Sequence, residues 1–352
     1  MDGIPVHPDE VTPEWLGSIL GGKVSNVSWK PIGTGQVGDS VRFTLKGPDV
    51  GTQIPATLAG KFPAADETSR ATAALFGLYR KEVRFYKDAA SKLDVRAPRV
   101  HFAQTCDEGQ RFCLIFEDLG PARQGDQIAG CSLDDAREAI RQAAAIHAPS
   151  WGRRDILEAD WIQPAPDVAE RVDTMYPQAQ AIFHDRYKDL LEPQFMSICD
   201  EFAGLTDRYH RSNDQQQCLV HGDFRLDNML FGIGGGAEPI AILDWQTVTS
   251  GKAMTDIGYF LGCGIGQMGL DHEDELLEIY LNDMTARGVS LTREAIDHDY
   301  RVGILHGVTT AVFSAAFVER TQRGDANFLS MARGACALAL KHDSIAALKE
   351  AS

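Results

Sequence analysis

From Val27 to Phe62 the chain alternates short β-type runs with turns that contain Gly and Pro. Val27–Trp29 (VSW), Val41–Leu45 (VRFTL) and Ala56–Phe62 (ATLAGKF) are these runs, separated by turns such as Pro31–Ser40. Such spacing predicts an antiparallel meander. Ser69–Leu93 then changes to helical spacing, and Arg99–Ala103 and Arg111–Glu117 return to strand character. The run Phe112–Ala122 (FCLIFEDLGPA) passes from a buried strand into a turn. A boundary there divides the chain into a first lobe, 1–118, and a second, 119–352.

Past that point the pattern is mainly helical. Ser132-x-x-Asp135 is a capping box that predicts a helix ending near His147, and amphipathic stretches continue to about Arg211. They give way to CLVHGDFRLDNMLF from Cys218, a glycine-rich turn at Gly232–Gly236, and IAILDWQ, which read as short strands flanking loops. Helical spacing resumes at Asp271. The nearly apolar stretch Gly303–Val318 contains His306, Thr309 and Thr310 and is too short for a bilayer, so it predicts a buried helix. The fold class expected is α+β: a small antiparallel sheet with one helix, then a larger helical lobe.

Composition narrows the function classes. A formal net charge of −16 repels phosphate backbones and anionic bilayers, so neither nucleic acid nor membrane is an expected partner. The acidic surface suits simple solvation or a cationic substrate. The N-terminal MDGIPVHPDE has no basic stretch followed by an apolar run, hence no secretory signal is expected. Seven scattered cysteines without a C-x-x-C pair fit neither a disulfide framework nor a zinc site, which points to the cytoplasm. Oligomeric state leaves no mark.

Candidate chemistry centres on His221–Phe231, HGDFRLDNMLF, where Asp223 precedes Asn228 by five positions. Phosphoryl transfer needs a carboxylate that reaches the acceptor hydroxyl and a nearby side chain that reaches a metal on the nucleotide phosphates. Asp223 suits the first task and Asn228 the second, and their interval resembles the H-R-D-x-x-x-x-N loop of protein kinases. The other reading is a turn capped by its own polar side chains. After Ile240–Leu243, Asp244 is a second candidate for Mg²⁺, a hard cation that prefers oxygen. A hairpin of that length can return Asp244 toward Asn228.

HGDFRLDNMLF followed by ILDWQ resembles the aminoglycoside phosphotransferase superfamily, and with Thr255–Gly262 (TDIGYFLG) more narrowly the choline-kinase-like and ecdysteroid-kinase-like branch. The resemblance covers nearly the whole chain. It implies a protein-kinase-like fold of two lobes, ATP or GTP between them, transfer of the γ-phosphate to a hydroxyl, and Asp256 as a structural anchor. Arg225 departs from the family's frequent His. It would stabilise charge on the phosphoryl group, or pair with Asp227 or Glu238.

The first lobe supplies the remaining candidates. Gly33, Gly35 and Gly38 match G-x-G-x-x-G, which a dinucleotide fold also uses, but a β-type run follows here and the loop reads as a hairpin over phosphates. Lys61 would meet the α- and β-phosphates. Glu82, set among Leu75, Leu78, Tyr79, Phe85, Tyr86 and Ala89 at helical spacing, would pair with Lys61 or reach water at the stripe's edge. Phe116–Gly120, with Glu117 and Leu119, would be the hinge that meets the base. Together they predict a Mg²⁺-dependent kinase of a small-molecule alcohol. A non-catalytic nucleotide-binding regulator and, on the glycine motif alone, a nicotinamide oxidoreductase are the competing classes.

Overall fold

The computed structural model describes residues 4–33, 38–106, 109–163, 168–212, 217–318 and 320–350, with backbone only at 168 and 169. The chain forms two compact units. The first comprises Met1–Lys92, Arg96–Ala122 and Gly232–Thr247; the second comprises Leu93–Val95, Arg123–Phe231 and Val248–Ser352.

The first unit is built on a five-stranded sheet of β1 (Asn26–Pro31), β2 (Gly38–Lys46), β3 (Thr57–Pro63), β4 (Val100–Cys106) and β5 (Arg111–Glu117). Their spatial order is β1-β2-β3-β5-β4, antiparallel throughout. Alternation decides the faces: Val41, Phe43 and Leu45 of β2 are buried with Ile54, Leu58 and Phe62, while Arg42, Thr44 and Lys46 point away from this core. β5 lies between two neighbours and is buried from Phe112 to Phe116. Cys113 and Ile115 join that core, whereas Phe112 turns to the other face and stacks on Tyr79 at 4.3 Å.

The helical pattern of 69–93 is not one helix. A helix capped by Asp66 runs Glu67–Leu75, and Gly77, at φ 65°, breaks it before Leu78–Arg84 and a π turn at Phe85–Ala89. Glycine takes the left-handed conformation at little steric cost, which lets the chain re-aim there.

In the second unit, the Ser132–Asp135 capping box opens a helix that runs to Ser150, beyond the expected end near His147. Its buried face carries Ala136, Ala139, Ile140 and Ala143 and packs on helix Gln267–Ala286 and strand Cys218–Val220. Ser150 Oγ accepts the Leu219 N–H at 2.9 Å, and Cys218–Val220 pairs antiparallel with Thr249–Gly251. Helix Leu305–Phe317 lies within the expected apolar stretch and is largely buried. Trp161, Tyr176, Phe183 and Tyr187 are buried in the core.

Candidate active site

In the first unit Lys61, near the end of β3, is paired with both oxygens of Glu82, at 2.9 and 2.7 Å, and with Asp244 Oδ1 at 2.9 Å. The Glu82 side chain is only 2% exposed and that of Lys61 12%, so the apolar stripe does hold a paired carboxylate. Burial pulls the lysine's pKa down, but Asp244 and Glu82 outweigh it and hold the ammonium above its ordinary range. Burial pushes the Glu82 carboxyl upward, with Lys61 pulling the other way.

Asp244 follows strand Glu238–Ile242 and has φ 61°. A non-glycine residue there stores strain of about 1–3 kcal/mol, which persists only where neighbours fix it. Here the Ile242 N–H bonds the Arg96 carbonyl at 2.9 Å, Trp245 stacks on Phe85 at 3.8 Å, and Gln246 donates to Asp244 Oδ2 at 3.1 Å. Phe85 directly follows helix Leu78–Arg84, which bears Glu82, so one stacking contact ties the two acidic partners of Lys61 together.

The other first-unit candidates are also placed. Gly33 is exposed at φ 74°, and Gly35 lies outside the described residues. Gly38 opens β2, where an added Cβ would come within 3.1 Å of the Phe62 carbonyl and 3.4 Å of the Lys61 Cε. Glu117 accepts from Arg96 at 2.5 Å and from the Arg99 N–H at 2.8 Å, which holds its carboxyl below the usual range against the opposing effect of burial. Leu119 is buried, and its carbonyl accepts the Gly234 N–H at 3.2 Å. Arg42 grips Asp118 through two contacts of 2.8 Å.

In the second unit Asp223 stands at the centre of a donor network. Its Oδ2 accepts the Asn228 amide at 2.8 Å, and its Oδ1 accepts the Tyr259 hydroxyl at 2.7 Å with Arg225 Nε 3.0 Å away. Burial raises the Asp223 pKa, but the Arg225 charge, Tyr259 and Asn228 overcome it, so the carboxylate is ionised below its usual range. Asn228 also donates to the Asp223 carbonyl at 2.9 Å, which commits its nitrogen and leaves Oδ1 outside this network. Arg225 additionally pairs with Asp227 at 3.1 Å; Glu238 belongs to Arg96 instead.

The loop is held from behind. Asp256 accepts the N–H groups of His221 and Gly222 at 2.7 and 2.9 Å, and it meets His147 Nε2 at 3.2 Å. His147, fully buried, completes the chain through Tyr280 at 2.9 Å. His306 Nε2 meets the Gly222 carbonyl at 2.8 Å. Nothing in the sequence pattern singles out His147, His306 or Tyr259 for this task, save that the three-residue spacing of Asp256 and Tyr259 puts both on one helical face.

Comparison with known proteins gives the class first. An aminoglycoside phosphotransferase assignment from Ralstonia eutropha JMP134 superposes with TM-score 0.57 at 20% identity, covering 94% of this chain and 97% of that one. The ethanolamine kinase of Plasmodium vivax gives 0.54 at 11%, covering 96% and 86%. The choline kinase of Cryptosporidium parvum Iowa II gives 0.53 at 11%, covering 90% and 89%. The fold is thus α+β and protein-kinase-like, as the motif order suggested. Residues 41–291 match the ecdysteroid kinase-like family, and the chain belongs to it. Among curated proteins, acyl-CoA dehydrogenase family member 11 of Mus musculus is 45% identical over 89 residues, a match spanning 25% of this chain and 10% of that protein.

Proposed function

We propose that the protein is a small-molecule kinase that moves the γ-phosphoryl group of ATP or GTP to a hydroxyl of an alcohol acceptor. The observation that carries this reading is the Asp223 carboxylate, ionised, a quarter exposed and oriented by Asn228 and Tyr259. Phosphoryl transfer leaves the protein mainly positioning and charge stabilisation to perform. Asp223 aligns the acceptor hydroxyl and takes its proton as the new P–O bond forms and the bond to the departing nucleoside diphosphate breaks. Lys61, aimed by Glu82, neutralises the α- and β-phosphates; Gly33, Gly35 and Gly38 cover them, and the backbone around Glu117 and Leu119 meets the base. Arg225 stabilises charge near the base carboxylate.

Magnesium fits the donors present. Asn228 presents an amide oxygen outside its own hydrogen-bond network, and each Asp244 oxygen has room beyond the one donor it already accepts. These two residues are the proposed ligands, and the bound ion would neutralise phosphate charge. A cytoplasmic site of action accords with the free cysteines. No helix among the described residues is long and apolar enough to cross a membrane.

Phosphate transfer measured over a panel of amino alcohols, sugars and sterol-like alcohols, with calorimetric titration of MgATP and MgGTP, tests the proposal. Asp223→Ala is expected to lower turnover at least about a hundredfold while nucleotide affinity stays within a factor of two or so. Full activity in that variant refutes the assigned base.

A further inference from the structure

The helix Met254–Tyr259 touches the Asp223 loop twice. Asp256 holds the backbone of His221 and Gly222, and three residues later Tyr259 donates its hydroxyl to the Asp223 side chain at 2.7 Å. Backbone and carboxylate are therefore gripped by the same turn of helix. That turn is itself immobilised by close packing: a Cβ on Gly258 would fall 2.6 Å from the Ile304 nitrogen, and one on Gly303 would fall 2.3 Å from the Met254 carbonyl oxygen. Tyr259 is fully buried, with its ring edge-on to His306 at 5.2 Å.

On the kinase reading given above, we infer that Tyr259 is a positioning residue: its hydroxyl occupies Asp223 Oδ1 and leaves Oδ2 to receive the acceptor's proton. The geometry separates the two oxygens. Oδ1 has the Tyr259 hydroxyl and the Arg225 guanidinium beside it, whereas Oδ2 takes a single amide hydrogen among the described residues. A carboxylate oxygen accepts about two hydrogen bonds, so Oδ2 retains the position a substrate hydroxyl needs. A tyrosine suits the task, since its rigid ring leaves few rotatable bonds before the hydroxyl, which fixes the rotation of the carboxylate about its Cβ–Cγ bond.

The test is Tyr259→Phe, which keeps the ring and removes only the hydroxyl. Loss of a hydrogen bond to a charged group predicts a kcat lowered roughly ten- to a hundredfold. KM for nucleotide and acceptor should stay within about twofold, and the melting temperature within a few degrees. A role confined to packing would lower the melting temperature instead, with kcat kept. An activity-independent arm follows the ¹³Cζ resonance of Tyr259, assigned by its loss in Tyr259→Phe, which should move upfield in Asp223→Asn. An active wild-type enzyme with an unchanged kcat in Tyr259→Phe, or a resonance that ignores Asp223→Asn, overturns this inference alone. A wild-type protein that phosphorylates no alcohol overturns the kinase reading and the inference with it.

Discussion

A lysine enclosed by two carboxylates concentrates three charges in little volume, and the energy depends on all three being present. Lys61 is 12% exposed and Glu82 2%. Desolvating such a pair costs several kcal/mol, which the mutual attraction offsets only while both partners remain. Lys61→Met is therefore expected to cost about 3–5 kcal/mol of unfolding free energy, because Glu82 is left without its cation. Adding Glu82→Leu should return much of that loss, so the double mutant is far less destabilised than the two single changes summed. Urea unfolding of the four proteins measures the coupling. Strict additivity would mean that Lys61 and Glu82 do not act as a unit. If the pair aims the lysine at phosphates, the double mutant, though folded, should still bind MgATP more weakly than wild type.

At the scale of elements, placement of the Asp223 loop depends on a helix of fewer than two turns, Met254–Tyr259, and on two glycines that let backbones approach. Gly303→Ala would put a methyl group 2.3 Å from the Met254 carbonyl oxygen, against backbone rather than a flexible side chain. Overpacking of this sort costs roughly 1–3 kcal/mol. The displaced helix also carries Asp256 and Tyr259, so turnover should fall along with the denaturation midpoint; a stable, fully active variant would show that the approach is not needed. This close contact was hidden in the sequence, where Gly258 and Gly303 stand 45 positions apart with nothing to link them. Local signals were legible. The Ser132–Asp135 box appears where its residues predict it, and β-type runs between turn residues marked the strands of the sheet. Gly77 broke the helix expected over 69–93 because apolar spacing reports which face is buried, not whether the axis continues.

The whole chain shows why part of the site could be read and part could not. Motif spacing singled out Lys61, Glu82, Asp223, Asn228 and Asp244 as candidates, and the structure pairs Lys61 with Glu82 and Asp244, and Asp223 with Asn228. What local pattern could not reveal is that Gly232–Thr247 packs with the first unit although more than a hundred residues separate it from Ala122. That segment provides Asp244 to Lys61, Trp245 to Phe85, and the Ile242 N–H to the Arg96 carbonyl. Residues 1–122 made alone would leave the Phe85 face uncovered and give Lys61 one carboxylate fewer. That fragment is expected to bind a hydrophobic dye and to lack a cooperative thermal transition. Joining residues 232–247 to its end through a flexible Gly/Ser linker should restore the transition, because the linker adds only a modest loop-closure cost while the stacking and the ion pair return. Calorimetry on both fragments decides the matter: a cooperative transition of equal midpoint in each would mean that the sheet and its helix stand without the segment that carries Asp244.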